Sequence, residues 1–191
     1  LAGRAAAAGW EVAVGHCLDL GGSPVPYLPF TELASRLALE RPAQVAELAT
    51  RYPSVRRLVA SGAGADTGEP ADRGLFFAAV QATLSGLAAD QPLLVVVEDL
   101  HWADQSTYDL MTFLLTRGFT APVALVGSYR SDDLHRRHPL RPLLAAWNRL
   151  PGVRRLELGP LPDDDVRTPV GSLRSGTSAA QLQDVIDRAE G

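Results

Sequence analysis

Between Leu93 and Asp104 the chain reads LLVVVEDLHWAD, in which five aliphatic residues run straight into two carboxylates, Glu98 and Asp99. An unbroken, valine-rich run cannot alternate between core and solvent. It fits a strand covered on both faces, as parallel sheets provide. This one stretch restricts the fold to an α/β class in which helices pack over a parallel sheet. Ligands of such sheets gather beyond the carboxyl ends of the strands, which is where Glu98 and Asp99 fall. Two carboxylates there are candidate ligands for a hydrated magnesium ion.

The same chain contains no lysine, since all 18 of its Lys+Arg residues are arginines. The phosphate-gripping pattern G-x-x-x-x-G-K-[ST] is therefore absent. Half of a nucleotide site is written in the sequence without the other half. A length of 191 residues suits one domain, or one and part of a second, and 46% apolar content is enough for a core. The net charge of −4 gives no electrostatic footprint for nucleic acid or an anionic membrane. No apolar run approaches the ~20 residues of a membrane-spanning helix. The opening LAGRAAAAGW has no apolar core of the kind a signal peptide needs, and it lacks an initiator methionine. The single cysteine, Cys17, excludes an internal disulfide and fits a reducing cytoplasm. Heavy use of Ala, Arg, Leu and Gly without Lys matches the coding bias of a high-GC bacterial genome.

Periodicity supplies the organisation. Residues 2–8 read as the end of an alanine-rich helix and Glu11 to Leu18 as a strand. A Gly/Pro loop follows. Helical spacing returns at Phe30, Leu33 and Leu37, and again from Val45 to Leu58. Residues 61–73, SGAGADTGEPADR, read as a surface connection. Leu75, Phe76, Ala79, Val80, Leu84 and Leu87 mark an amphipathic helix leading into the strand 93–97. Asp104 is placed to cap a helix whose apolar face is Tyr108, Met111, Leu114 and Leu115. Val123 to Ser128 read as another buried strand, Leu140 to Trp147 as a helix and Val153 to Leu158 as a fourth strand. Strands alternating with helices predict a three-layer α/β sheet with right-handed crossovers. The tail 161–191 shows no strand signal. Ser178 is placed to cap a helix there, and Asp163 to Asp165 to start another.

Three strings carry a resemblance: LLVVVEDLHWAD, LVGSYRSDDL at Leu125 to Leu134 and RRLELGPL at Arg154 to Leu161. Together they resemble the ATPase module of the large ATP-binding LuxR-type transcriptional regulators. That module belongs to the signal-transduction ATPases related to AAA proteins. Similar modules precede some bacterial nucleotide cyclases and protein kinases. The likeness spans nearly the whole chain. It implies a P-loop NTPase-type parallel sheet of order 5-1-4-3-2 with strand 1 missing, over residues 1–160, followed by the start of a helical lid over 161–191. The opening, from AAAAGWEVAVGHCLDL onward, is similar to the segment just after the Walker A helix, so the first strand and P-loop would precede Leu1.

By the same resemblance, Glu98 matches the first Walker B acid and Asp99 the second. Many relatives have Asp first, which leaves the division of labour between the two acids open. Arg130 matches the sensor 1 position, where a cationic side chain reads the terminal phosphate and stabilises charge on a transferring phosphoryl group. The catalytic set implied is Asp99, Glu98 and Arg130. Magnesium would sit at Glu98 and Asp99, with Arg130 touching the nucleotide. ATP and Mg2+ would act in the intact protein only. DNA would be bound only through a C-terminal domain outside these residues, no membrane is implied, and self-association of the intact protein is compatible. Without strand 1, strands 123–128 and 153–158 each lose a neighbour. The expectation is a poorly folded fragment, or direct pairing of those two.

Plainer roles stand beside these. Glu98 and Asp99 are alternatively two solvated acids capping a turn, and Arg130 a surface arginine paired with Asp132 or Asp133. His101 and Trp102 are expected to shape the turn and pack. His135 and His138 form an H-x-x-H pair without a third ligand nearby, which does not make a metal site. Arg136, Arg137 and Arg141 read as a solvated run, Tyr27 and Phe30 as core rather than base-flanking rings, and Cys17 as a buried apolar residue. The function expected is an ATP-hydrolysing regulatory switch. The alternatives are a scaffold that kept the fold and lost the chemistry, or the same module ahead of a cyclase or kinase.

Overall fold

The computed structural model describes residues 1–21, 25–56, 58 and 70–159. The chain divides into two units, 1–153 and 154–191. Among the described residues of the first, six α-helices alternate with three strands: α1 (Ala2–Ala7), β1 (Glu11–His16), α2 (Leu28–Glu40), α3 (Pro42–Arg51), α4 (Pro70–Leu87), β2 (Leu93–Glu98), α5 (Gln105–Arg117), β3 (Val123–Gly127) and α6 (Leu140–Trp147). Short 3-10 turns lie at Pro53–Val55 and Leu100–Trp102. None of the described helices is long and apolar enough to cross a membrane.

The three strands form one parallel sheet in the order β1-β2-β3. The aliphatic run takes the centre, as its composition requires, and Leu93, Val95 and Val97 are wholly buried. Its register aligns Glu11 with Leu93 and His16 with Glu98 on one side, and Leu93 with Val123 and Val97 with Gly127 on the other. The order matches the 4-3-2 part of the sheet implied by the sequence. Alternation along β2 puts Leu93, Val95 and Val97 on one face. There they join a single hydrophobic cluster with Ala13, with Phe30, Leu33 and Leu37 of α2, and with residues of α4, α5 and α6. Leu94 and Val96 are also buried but lie outside that cluster.

Helix boundaries follow local chemistry. Helix α4 starts at Pro70, five residues before the first expected apolar position. Proline is favoured in a first helical turn because its missing N–H costs nothing there. Residues 70–73, expected to be part of the surface connection, are therefore helical. Helix α5 begins where Asp104 accepts from the backbone N–H of Ser106 at 2.8 Å and of Thr107 at 3.1 Å. Gly15 lets β1 run against α2: a Cβ there would stand 2.2 Å from the backbone oxygen of Pro29.

Two strand expectations change. Residues 123–128 were expected to be buried, but β3 is hydrogen-bonded to β2 alone among the described residues, and its side chains are only half-buried. Residues 153–158 form no strand. In the second unit Leu156 and Leu158 are 84% and 94% exposed. Alternating hydrophobicity states which face a strand would bury, but a strand also needs an edge to pair with. Among the described residues β3 gains no second partner strand. The expected helices beyond Gly159 lie outside the described residues.

Candidate functional site

The site candidates gather where β1, β2 and β3 end. Glu98 is the last residue of β2 and its side chain is 45% exposed. Beside it in the register stands His16, held at both ends of its own residue by Glu32 of α2. The His16 backbone N–H donates to Glu32 Oε2 at 2.9 Å, and Nδ1 meets Oε1 at 2.9 Å. That leaves His16 Nε2 facing Glu98 Oε2 at 3.4 Å. The first acid is thus steered by an imidazole from the neighbouring strand, a contact that sequence spacing does not reveal because 81 residues intervene.

Asp99 leaves the strand in the left-handed region at φ 57°. Asp tolerates that conformation better than most residues, and strained backbone of this kind recurs at functional sites. The turn is stitched to the end of β3. The Asp99 N–H donates to Ser128 Oγ at 3.2 Å, Leu100 N–H to Ser128 O at 2.8 Å, and Ser128 N–H to Val97 O at 3.0 Å. Gly127 permits this approach, since a Cβ there would stand 2.4 Å from Leu100 Cδ1. The Asp99 side chain remains 49% exposed. Two half-exposed carboxylates at the end of a central parallel strand fit a magnesium ion that keeps most of its water. No described group of three or more His, Cys, Asp or Glu is placed to hold a metal by itself.

Arg130 follows β3 and does not pair with either neighbouring acid. Asp132 accepts from Ser131 Oγ at 3.4 Å, and Asp133 Oδ2 stands 3.1 Å from His101 Nε2. The Arg130 backbone N–H instead donates to His101 Nδ1 at 3.4 Å. His101 is a buried polar residue, not a surface one as its neighbour Trp102 is. Its carbonyl accepts from His138 Nε2 at 3.1 Å, while His138 Nδ1 accepts from Leu140 N–H at 3.2 Å. Both nitrogens of His138 are therefore committed, which rules the H-x-x-H pair out as a chelate.

Behind the turn the chemistry is apolar. Cys17, after β1, is buried, and loss of solvent pushes its thiol up to about 12, with the carboxylates of Asp104 and Asp99 adding to the rise. Tyr108 of α5 donates to Leu100 O at 2.8 Å. Burial, then the neighbouring Cys17 and Asp104, raise its phenol above the usual range. Tyr27 is 2% exposed and packs edge-on against Phe76 at 5.1 Å, and Phe30 is equally buried, so both are core residues. Arg141 is anchored to Leu134 O at 3.1 Å.

The structure brings Glu98, Asp99 and the Arg130 segment to one end of the sheet, as expected. His16, Glu32, Ser128 and the linking role of His101 were not foreseen. Only His101 had a signal, its place inside the EDLHWAD string. A family model described as AAA ATPase domain matches residues 1–126, a span that includes Glu98 and Asp99 and stops short of Arg130. No curated protein and no solved structure matches the chain.

Proposed function

Since the chain belongs to the AAA ATPase domain family, we propose that it carries the magnesium and water side of a nucleotide site in an ATP-hydrolysing regulatory switch. The observation that carries this reading is the pair Glu98 and Asp99, half-exposed at the carboxyl end of the central parallel strand. Magnesium, held by Glu98 and Asp99, would supply Lewis-acid charge for the phosphates. Glu98 is the residue to hold the hydrated cation. Asp99, turned out by its left-handed backbone, is the residue to orient the attacking water. Arg130, whose side chain pairs with neither Asp132 nor Asp133, is the cation to meet the terminal phosphate.

The phosphate cradle does not fit these residues alone, because the chain has no lysine. Among the described residues β3 pairs with β2 alone, and its other side is where a strand carrying a P-loop would seat, which supports the sheet order of the resembling ATPases. The EDLHWAD, SYRSDDL and RRLELGPL strings support the finer reading, a switch in a LuxR-type transcriptional regulator whose nucleotide state sets how a distant output domain acts. A catalytically silent scaffold is the second reading, and the missing lysine favours it. The two separate by titrating Mg–ATP into the intact protein and following phosphate release. Binding with slow turnover supports the switch. A folded intact protein that neither binds nor hydrolyses ATP supports the scaffold.

A further inference from the structure

His101 stands between the two halves of the proposed hydrolytic machinery. Its side chain is 1% exposed, lies within ring contact of Trp102 at 5.1 Å, and reaches toward three polar groups. Nδ1 accepts from the Arg130 backbone N–H at 3.4 Å and lies 4.0 Å from Asp99 Oδ1. An accepting Nδ1 places the ring proton on Nε2, which stands 3.1 Å from Asp133 Oδ2 but out of line for a hydrogen bond. The His101 carbonyl is taken by His138 at the head of α6. A buried imidazole with one nitrogen off-axis is costly unless the arrangement is used. Catalytic contacts are often long in the unliganded state and tighten when the reacting groups are in place.

We propose that His101 is a positioning residue for the hydrolysis read above: it fixes the segment bearing Arg130 to the turn bearing Asp99, with Asp133 orienting its ring. The proposal rests on the ATPase reading but concerns residues that no family match assigns. It makes the acid turn and the arginine segment one unit, so that a shift of either moves the other. Because a misplacement of about 1 Å can cost about 100-fold in rate, this coupling acts on turnover rather than on nucleotide affinity.

The test compares two substitutions in the intact protein. His101→Asn keeps an acceptor where Nδ1 lies; His101→Phe keeps the ring volume and loses both nitrogens. His101→Phe is expected to lower kcat about tenfold or more with KM for ATP within about twofold. His101→Asn is expected to recover most of that loss. A Phe variant as active as Asn, or more so, makes His101 a space-filler and overturns the proposal. Should either variant fail to fold, Asp133→Asn on the exposed loop reads the same coupling: kcat falls about threefold or more at unchanged KM, and unchanged kcat overturns it. Should the wild-type protein hydrolyse no ATP, the functional reading fails separately. Hydrogen exchange of residues 128–134 then decides: about tenfold faster exchange in Asp133→Asn or His101→Phe supports the link, and unchanged exchange overturns it.

Discussion

At the scale of single residues, the decisive feature is that neighbours in sequence were given opposite environments. Glu98 ends a strand and faces His16, while Asp99 turns out through a left-handed backbone and His101, two residues on, is buried. That partition allows two adjacent acids to take different tasks. Asp99→Asn suits the left-handed position, so it should leave the fold intact where β-branched substitutions would strain it. Cys17 offers a cleaner check of burial. Its thiol is pushed up from 9.0 to about 12. The unfolded chain therefore loses this proton near pH 9 while the folded chain keeps it. Stability contributed by Cys17 is present below pH 9 and is lost as pH rises toward 12. Alkylation of Cys17 at pH 8 is expected to be at least about 100-fold slower in the folded chain than in denaturant, because only the thiolate attacks. Equal rates would show that the thiol is open to solvent.

At the scale of elements, the central strand was legible because five aliphatic residues followed by two acids admit few alternatives, and the Asp104 cap because it precedes a clear apolar stripe. The edge was not legible. The strand signal at 153–158 is as regular as that of β1, yet the segment forms no strand, because pairing is a property of the partner as much as of the segment. The His16–Glu98 and His101–Asp133 contacts were hidden for a similar reason: they cross between strands or loops far apart in sequence. Two stability predictions belong here. Gly15→Ala drives a Cβ into the Pro29 carbonyl, which is backbone and cannot swing away, so a loss of about 1–3 kcal/mol is expected in denaturant titration. Asp104→Ala removes the acceptor for two α5 amides and should cost about 1 kcal/mol, with Asp104→Asn close to wild type. Unchanged midpoints in both Ala variants would contradict these packing and capping assignments.

At the scale of the whole molecule, the sheet is half-dressed on its β3 side. β2 is buried from Leu93 to Val97, whereas β3 has, among the described residues, one ladder and half-buried side chains. On the proposed reading, acids for magnesium without a lysine for phosphate leave the phosphate cradle to a further strand at that edge. On that reading residues 1–191 alone are expected to bind Mg–ATP about 100-fold or more weakly than a chain that also carries a P-loop lysine, because backbone amides and lysine that cradle the phosphates contribute most of the grip. Equal affinity would place the phosphate site within these residues. In the proposed switch Asp99 serves hydrolysis and not nucleotide affinity. The most direct test of that role is phosphate release by the intact protein carrying Asp99→Asn, measured beside Mg–ATP affinity. Affinity is expected to stay within about threefold of wild type and turnover to fall about 100-fold or more. Unchanged turnover with intact binding would contradict that role.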